Sequence, residues 1–230
     1  MKYNTLFIDL DDTIWDTLSN GKESLEEVYN NHRLGRFFPT FNDFYTIYFR
    51  NNTYLWDLYA HGRISKDELI LKRFLNPLKP FGITDKDYLL SLSDEFLEYT
   101  TRKKGLLPHA TEVLEYLRPR YRMFILSNGF KEIQYKKING SGLTDYFEGI
   151  ILSDDAGYTK PHLNLFRYAL EAASCDAETS LMIGDNWDTD IVGAANAGID
   201  QVWFNPSRKE CKENSPTYNI KSLLELKELL

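Results

Sequence analysis

The stretch FIDLDDTIWD, residues 7–16, ends an apolar run in three carboxylates within four residues: Asp9, Asp11 and Asp12. Like charges that close repel, so a cation or a chemical task is the reason to gather them. A later apolar run ends the same way, in GDNWDTD, with Asp185, Asp188 and Asp190. Between the two stand Ser127-Asn128-Gly129 and Lys160-Pro161. These residue types suit phosphoryl chemistry. Asp9 and Asp185 could bind Mg²⁺, a hard cation usually held by one or two carboxylates plus substrate phosphate. Asp9 could then attack phosphorus and form an aspartyl-phosphate. Asp11 lies two residues on, where alternation places it on the same side of an extended chain. It suits a general acid for the leaving oxygen, then a base for the hydrolytic water. Ser127 and the amides around Asn128 and Gly129 could hold phosphate oxygens at the start of the next helix. Lys160 would supply a fixed positive charge.

These residues need a scaffold, and the sequence predicts one. Five short apolar runs read as strands, at residues 3–10, 122–127, 149–152, 180–183 and 201–204. Several are apolar throughout, as expected of strands buried on both faces of a parallel sheet. Helical patterns at 108–117, 163–173 and 191–197 lie between or beside the later runs, the last stopping at Gly198. The alternation predicts a doubly wound, Rossmann-like α/β core, in which ligands collect beyond the C-terminal ends of the strands. All four polar motifs fall at or just beyond such ends. Residues 16–103 break the alternation and read as helices only, at roughly 17–34, 41–60, 65–76 and 84–101. Phe41, Phe44, Tyr45, Tyr48 and Phe49 repeat at helical spacing and predict core. The expected organisation is an α/β core of residues 1–15 and 104–230, interrupted by an all-helical cap at 16–103. A short amphipathic helix is expected at 223–230.

Composition bounds the partners. The 230 residues carry a formal net charge of −7, which argues against polymeric nucleic acid and leaves small phosphorylated molecules open. Two cysteines, Cys175 and Cys211, form no disulfide framework. No apolar run approaches the ~18 residues of a membrane helix, and the N-terminal segment has no signal-peptide pattern. A cytoplasmic protein is the expectation; the sequence is silent on oligomeric state. The four histidines show no metal-ligand spacing; His109 and His162, beside prolines near helix starts, read as structural. Asp188 reads as a helix N-cap or a solvated acid.

DLDDT, SNG, KP and GDNWDTD, in that order with a helical insertion after the first, resemble the four motifs of the haloacid-dehalogenase-like (HAD) phosphohydrolases. The resemblance covers the whole chain. It implies Asp9 as nucleophile, Asp11 as acid/base and donor of a backbone carbonyl to Mg²⁺, and Asp185 as metal ligand. It places Asp190 in or near the metal shell. The dehalogenases of this superfamily lack an acid two residues after the nucleophile, so Asp11 favours phosphate-ester hydrolysis over C–halogen cleavage. Asp12 replaces a glycine common in the motif and is assigned no chemistry. The segments LWDLYAHGRISKDELILKRF and VWFNPSRKECKENSPTYNIKSLLELKELL are similar to the subgroup of 5′-nucleotidases acting on pyrimidine nucleoside monophosphates.

The combined expectation is a Mg²⁺-dependent phosphomonoesterase acting on a nucleoside 5′-monophosphate. Tyr54, Trp56, Tyr59 and Arg63, near the helix break at His61-Gly62, are the candidates for facing substrate. A sugar-phosphate or phosphoglycolate phosphatase is the alternative, since the motifs hold only the phosphoryl group. A haloacid dehalogenase is disfavoured by Asp11. A phosphoacceptor signalling domain is disfavoured by the insertion and by the place of the acids along the chain.

Overall fold

The computed structural model describes residues 2–211 and 215–230. The chain separates into two compact units, one formed by Met1–Thr17 with Lys104–Leu230, the other by Leu18–Lys103.

The first unit is built on a six-stranded, all-parallel sheet in the order β3-β2-β1-β4-β5-β6. The strands are β1 Thr5–Ile8, β2 Arg122–Ser127, β3 Gly149–Leu152, β4 Ser180–Gly184, β5 Asp200–Phe204 and β6 Tyr218–Ile220. Alternation along β1 sends Leu6 and Ile8 to one face, with Val113, Leu117, Ile125, Ile183 and Val202. Phe7 goes to the other, with Leu126, Phe166, Ala169 and Met182. The interior positions of the central strands are therefore apolar on both sides, because both faces are covered. The chain runs outward from β1 through β2 to β3, then crosses back to β4 on the other side of β1. The β1/β4 junction is thus the switch point of the sheet, where the two loops diverge and leave a crevice. Ile8 pairs in register with Ile183, so Asp9 follows the end of β1 and Asp185 follows Gly184, the last residue of β4.

The second unit holds the helices Phe41–Ala60, Lys66–Leu78 and Lys86–Arg102, together with all but the first residue of Thr17–Asn31. Thr40 and Ser65 each close a capping box with Asp43 and Glu68. Its core joins Leu25, Val28, Phe44, Tyr48, Phe74, Leu78, Leu89 and Leu92. Of the aromatic series, Phe44 and Tyr48 are buried; Phe49 is exposed. Among the described residues, no helix is long and apolar enough to cross a membrane.

Several boundaries differ from those read in the sequence, each for a local reason. The helical pattern ending at 76 continues through Pro77 to Leu78. Proline leaves the carbonyl four residues back without its usual partner, and Asn51 Nδ2 donates to that Arg73 oxygen at 3.3 Å. The 191–197 helix begins earlier, because Trp187–Ile191 forms a π turn leading into Val192–Asn196. Asn186, not Asp188, caps that turn, accepting from Asp188 N and Thr189 N. The 223–230 segment is a 3₁₀ turn, Leu223–Glu225, followed by Leu226–Leu229. β6 has no counterpart in the sequence reading, because a three-residue edge strand is too short for a period-2 pattern. His162 caps Leu163–Ala173 through its ring nitrogen, which accepts from Asn164 N at 3.1 Å.

Candidate active site

After β1 the chain turns so tightly that Ile14 N and Trp15 N both donate to Leu10 O, at 3.0 and 2.8 Å. Asp12 sits at φ 58° within this turn, in the left-handed region where Gly is free and Asp is tolerated. That backbone demand, rather than chemistry, accounts for a glycine-like position. Asp12→Gly is expected to keep or raise the melting temperature. Asp12→Val should cost about 1–2 kcal/mol, read by thermal denaturation; equal melting of the two variants would contradict this account.

The turn leaves Asp9 at the switch point, its N–H bonded to Ile183 O at 2.9 Å and only 6% of its surface exposed. Lys160, also buried, places Nζ 2.6 Å from Asp9 Oδ1, 2.6 Å from Asp190 Oδ1 and 2.8 Å from Leu126 O. Those partners match the three N–H donors of the ammonium. The lysine backbone is itself clamped by Asn128, whose Oδ1 accepts from Lys160 N at 2.7 Å and whose Nδ2 donates to Lys160 O at 2.9 Å. The Lys160-Pro161 bond is cis.

Asp190 arrives through the π turn, which bonds both Asp190 N and Ile191 N to Asn186 O. The widened turn lets the Asp190 carboxylate fold back and accept from Asn186 N at 3.1 Å. Gly184 makes room for it: a Cβ there would lie 2.6 Å from Asp190 Cβ. Asp185 accepts from Thr13 Oγ1 at 3.4 Å, and its backbone carbonyl accepts from Trp203 Nε1 at 2.9 Å.

Asp9, Asp185 and Asp190 each present a ligand atom within 4.8 Å of the others. Burial pushes the Asp9 carboxyl up to about 8 against the pull of Lys160, with Asp190 and Asp11 adding to the rise. Burial, then Asp190, Asp9 and Asp12, raise Asp185 well above the usual carboxylate range. Burial opposes the Lys160 charge, but Asp190 and Asp9 outweigh it and hold the ammonium above the usual lysine range. Lys160 neutralises one of three clustered carboxylates, and a divalent cation matches what remains. The donor set fits: it is all oxygen, as a hard cation requires, and a bound cation would favour the ionised form of acids that burial disfavours.

Asp11 has a different environment. Oδ1 accepts from Thr17 Oγ1 at 2.7 Å and Lys137 Nζ at 2.6 Å, and Oδ2 from Gln134 Nε2 at 2.5 Å. Burial works to raise this carboxyl, but Lys137, Thr17 and Gln134 overcome it and hold it below the ordinary range. Two acids two residues apart are therefore pushed in opposite directions by their surroundings. Ser127 stands at the end of β2, its Oγ accepting from Gly129 N at 3.0 Å and Gln134 Nε2 at 2.7 Å.

A family model of the haloacid dehalogenase-like hydrolases matches residues 3–198. The chain belongs to this family. Among HAD relatives, the HAD-hydrolase YfnB of Bacillus subtilis is 32% identical over all of this chain and 96% of its own. Its magnesium-bound crystal structure superposes with a TM-score of 0.89 at 31% identity, covering 100% of this chain and 99% of that one. The pyrimidine 5′-nucleotidases YjjG of Escherichia coli and PynA of Streptococcus pneumoniae are 29% and 30% identical, each over all of this chain and 99% and 96% of theirs.

In this HAD chain, Asp9, Lys160, Asp185 and Asp190 form one cluster and Asp11, Ser127 and Gly129 a neighbouring one, joined by Asn128 holding Lys160. Tyr54, Trp56, Tyr59 and Arg63 belong to the helical unit, where Tyr54 is 60% exposed and the Trp56 and Tyr59 rings meet edge to face at 5.7 Å. Thr17, Gln134 and Lys137 were not singled out in the sequence. The one signal for the last two is their three-residue spacing, which puts both on one face of the helix Lys131–Gly140.

Proposed function

We propose that this HAD hydrolase is a Mg²⁺-dependent phosphomonoesterase whose substrate is a nucleoside 5′-monophosphate. The observation that carries the reading is the pair Asp9 and Asp11. One carboxylate is buried against Lys160 in a three-acid cluster; the other, two residues on, is held by separate donors. Asp9 attacks phosphorus, forming an aspartyl-phosphate as the bond to the ester oxygen breaks. Asp11, which its neighbours hold ionised in the free site, takes up a proton brought by the entering phosphate monoanion and gives it to that oxygen, then takes one from the water that cleaves the acyl phosphate. Ser127 donates to the phosphoryl oxygens, with the segment Asn128-Gly129 beside it, and Lys160 holds Asp9 in line while offsetting its charge. Asp9, Asp185, Asp190 and the Asp11 backbone carbonyl would hold Mg²⁺. When bound, Mg²⁺ supplies positive charge to the phosphoryl oxygens and lessens their repulsion by Asp9.

The substrate class draws support from the two pyrimidine 5′-nucleotidases, both matched along the whole chain. Tyr54, Trp56, Tyr59 and Arg63 are the proposed specificity residues of a helical cap spanning 16–103. The free thiols of Cys175 and Cys211 suit a reducing, cytoplasmic setting.

A hydrolysis panel tests the reading: pyrimidine and purine monophosphates, sugar phosphates and phosphoglycolate, with Mg²⁺ and with a chelator. Phosphate release from UMP, dUMP or dTMP should exceed release from sugar phosphates by about tenfold or more, a difference of roughly 1.4 kcal/mol in transition-state binding. The chelator should abolish it. Preference for sugar phosphates or phosphoglycolate would leave the mechanism standing and remove the nucleotidase assignment. No release from any ester would remove both.

A further inference from the structure

Gln134 and Lys137 are buried polar side chains on the helix Lys131–Gly140 that the mechanism above leaves without a task. Both hydrogens of Gln134 Nε2 are engaged, one with Asp11 Oδ2 at 2.5 Å and one with Ser127 Oγ at 2.7 Å. Gly129 N is a second donor to Ser127 Oγ, at 3.0 Å. A hydroxyl has two acceptor lone pairs and one proton. With both lone pairs occupied, Ser127 keeps only its proton to offer, which is the polarity a phosphoryl oxygen requires.

The amide cannot be reversed, because its oxygen would then face the Asp11 carboxylate. The orientation it adopts leaves Gln134 Oε1 buried without a hydrogen-bond partner. Buried amides normally satisfy both ends, so the two donor contacts prevail over the unmet acceptor. Gly129 shapes the place where Gln134 lies: a Cβ on it would run into that side chain, with Cγ 2.8 Å away. Lys137 is fixed separately. Its Nζ lies 2.6 Å from Asp11 Oδ1 and 4.3 Å from the centre of the Trp15 ring, and Trp15 Nε1 donates to Ser141 Oγ at 3.2 Å.

We propose that Gln134 and Lys137 are positioning residues with separable tasks. Gln134 sets Ser127 as a donor to the phosphoryl group and ties it to Asp11, whereas Lys137 holds Asp11 alone. This deepens the phosphomonoesterase reading and rests on it.

Wild type, Gln134→Met, Gln134→Asn, Lys137→Met and Lys137→Arg are compared with Mg²⁺ on p-nitrophenyl phosphate and on the panel's fastest alkyl phosphate. An aryl ester leaves as a stabilised phenolate; an alkyl ester leaves as an alkoxide and depends on proton delivery. Lys137→Met should lower kcat/KM, which reports only the step that forms the aspartyl-phosphate, about 10²-fold on the alkyl ester and about ten times less on the aryl ester. Inhibition by inorganic phosphate should stay within about twofold, because Ser127 keeps both its donors. Gln134→Met should show the same split and also weaken phosphate inhibition about tenfold, since Ser127 regains a free lone pair and can turn its proton away. Lys137→Arg should recover most of the loss. Circular dichroism and thermal melting identify folded variants, and Gln134→Asn, one methylene shorter, stands in if the methionine variant does not fold.

Equal losses of kcat/KM on both esters, or unchanged phosphate inhibition in folded Gln134 variants, would overturn the positioning roles while leaving the phosphatase reading intact. A wild type that releases phosphate from neither ester would overturn both.

Discussion

Asp9→Asn is expected to reduce phosphate release by at least about 10⁴-fold while the chain stays folded. The side-chain volume is kept, but a neutral amide oxygen is a poor nucleophile and forms no stable acyl phosphate. The structural cost should be small. Asp9 is a buried acid whose own ionisation is disfavoured by burial, and Lys160 keeps Asp190 at 2.6 Å when Asp9 is neutralised. The melting temperature should therefore move by only a few degrees, the equivalent of about 1 kcal/mol. Wild type quenched in acid during turnover should carry one phosphoryl group on the peptide containing Asp9, by mass spectrometry; Asp9→Asn should carry none. Release by the variant at the wild-type rate would exclude Asp9 as the attacking group.

Lys160→Met should be damaging in both respects. The ammonium meets Asp9, Asp190 and the Leu126 carbonyl at 2.6–2.8 Å, and all three side chains are buried. Removing one partner of a buried ion pair leaves the others uncompensated, at a cost of about 3–5 kcal/mol. Here two carboxylates lose their contact to the same ammonium, and Asp185 remains beside them. Loss of a fixed charge facing a phosphoryl transition state should also lower kcat by about 10²–10³-fold. Adding Mg²⁺ should raise the melting temperature of Lys160→Met, because ligand binding to the folded state stabilises it by mass action. A variant that melts like wild type would show that the carboxylates do not depend on Lys160 for compensation.

Much of this arrangement is legible in the chain itself. Asp9, Ser127 and Asp185 are visible because each ends an apolar run, and a parallel strand buried on both faces has no other reason to turn polar so abruptly. The helical insertion is visible because its apolar period changes from strand-like to helical at Thr17 and does not change back until after residue 103. The contacts of Asp11 are not legible. Gln134 and Lys137 lie 123 and 126 residues away, and in a helix of mixed polarity their three-residue spacing gives a shared face but not which face turns inward. Asn128 shows the same limit: beside a serine and a glycine it reads as part of a phosphate loop, yet its side chain holds the backbone of Lys160, 32 residues on.

The sequence by itself determined the family, the parallel α/β core, and the presence at strand ends of carboxylates, a hydroxyl and a lysine, because these follow from local period and residue type. Only the tertiary structure decided how the acids divide. The crossing from β3 back to β4 brings Asp185 and Asp190 to Asp9 and leaves Asp11 to the helix after β2. Burial and repulsion therefore raise Asp9 and Asp185, while a lysine, an amide and a hydroxyl lower Asp11. Identical carboxyl groups acquire different chemistry because the fold gives them different neighbours.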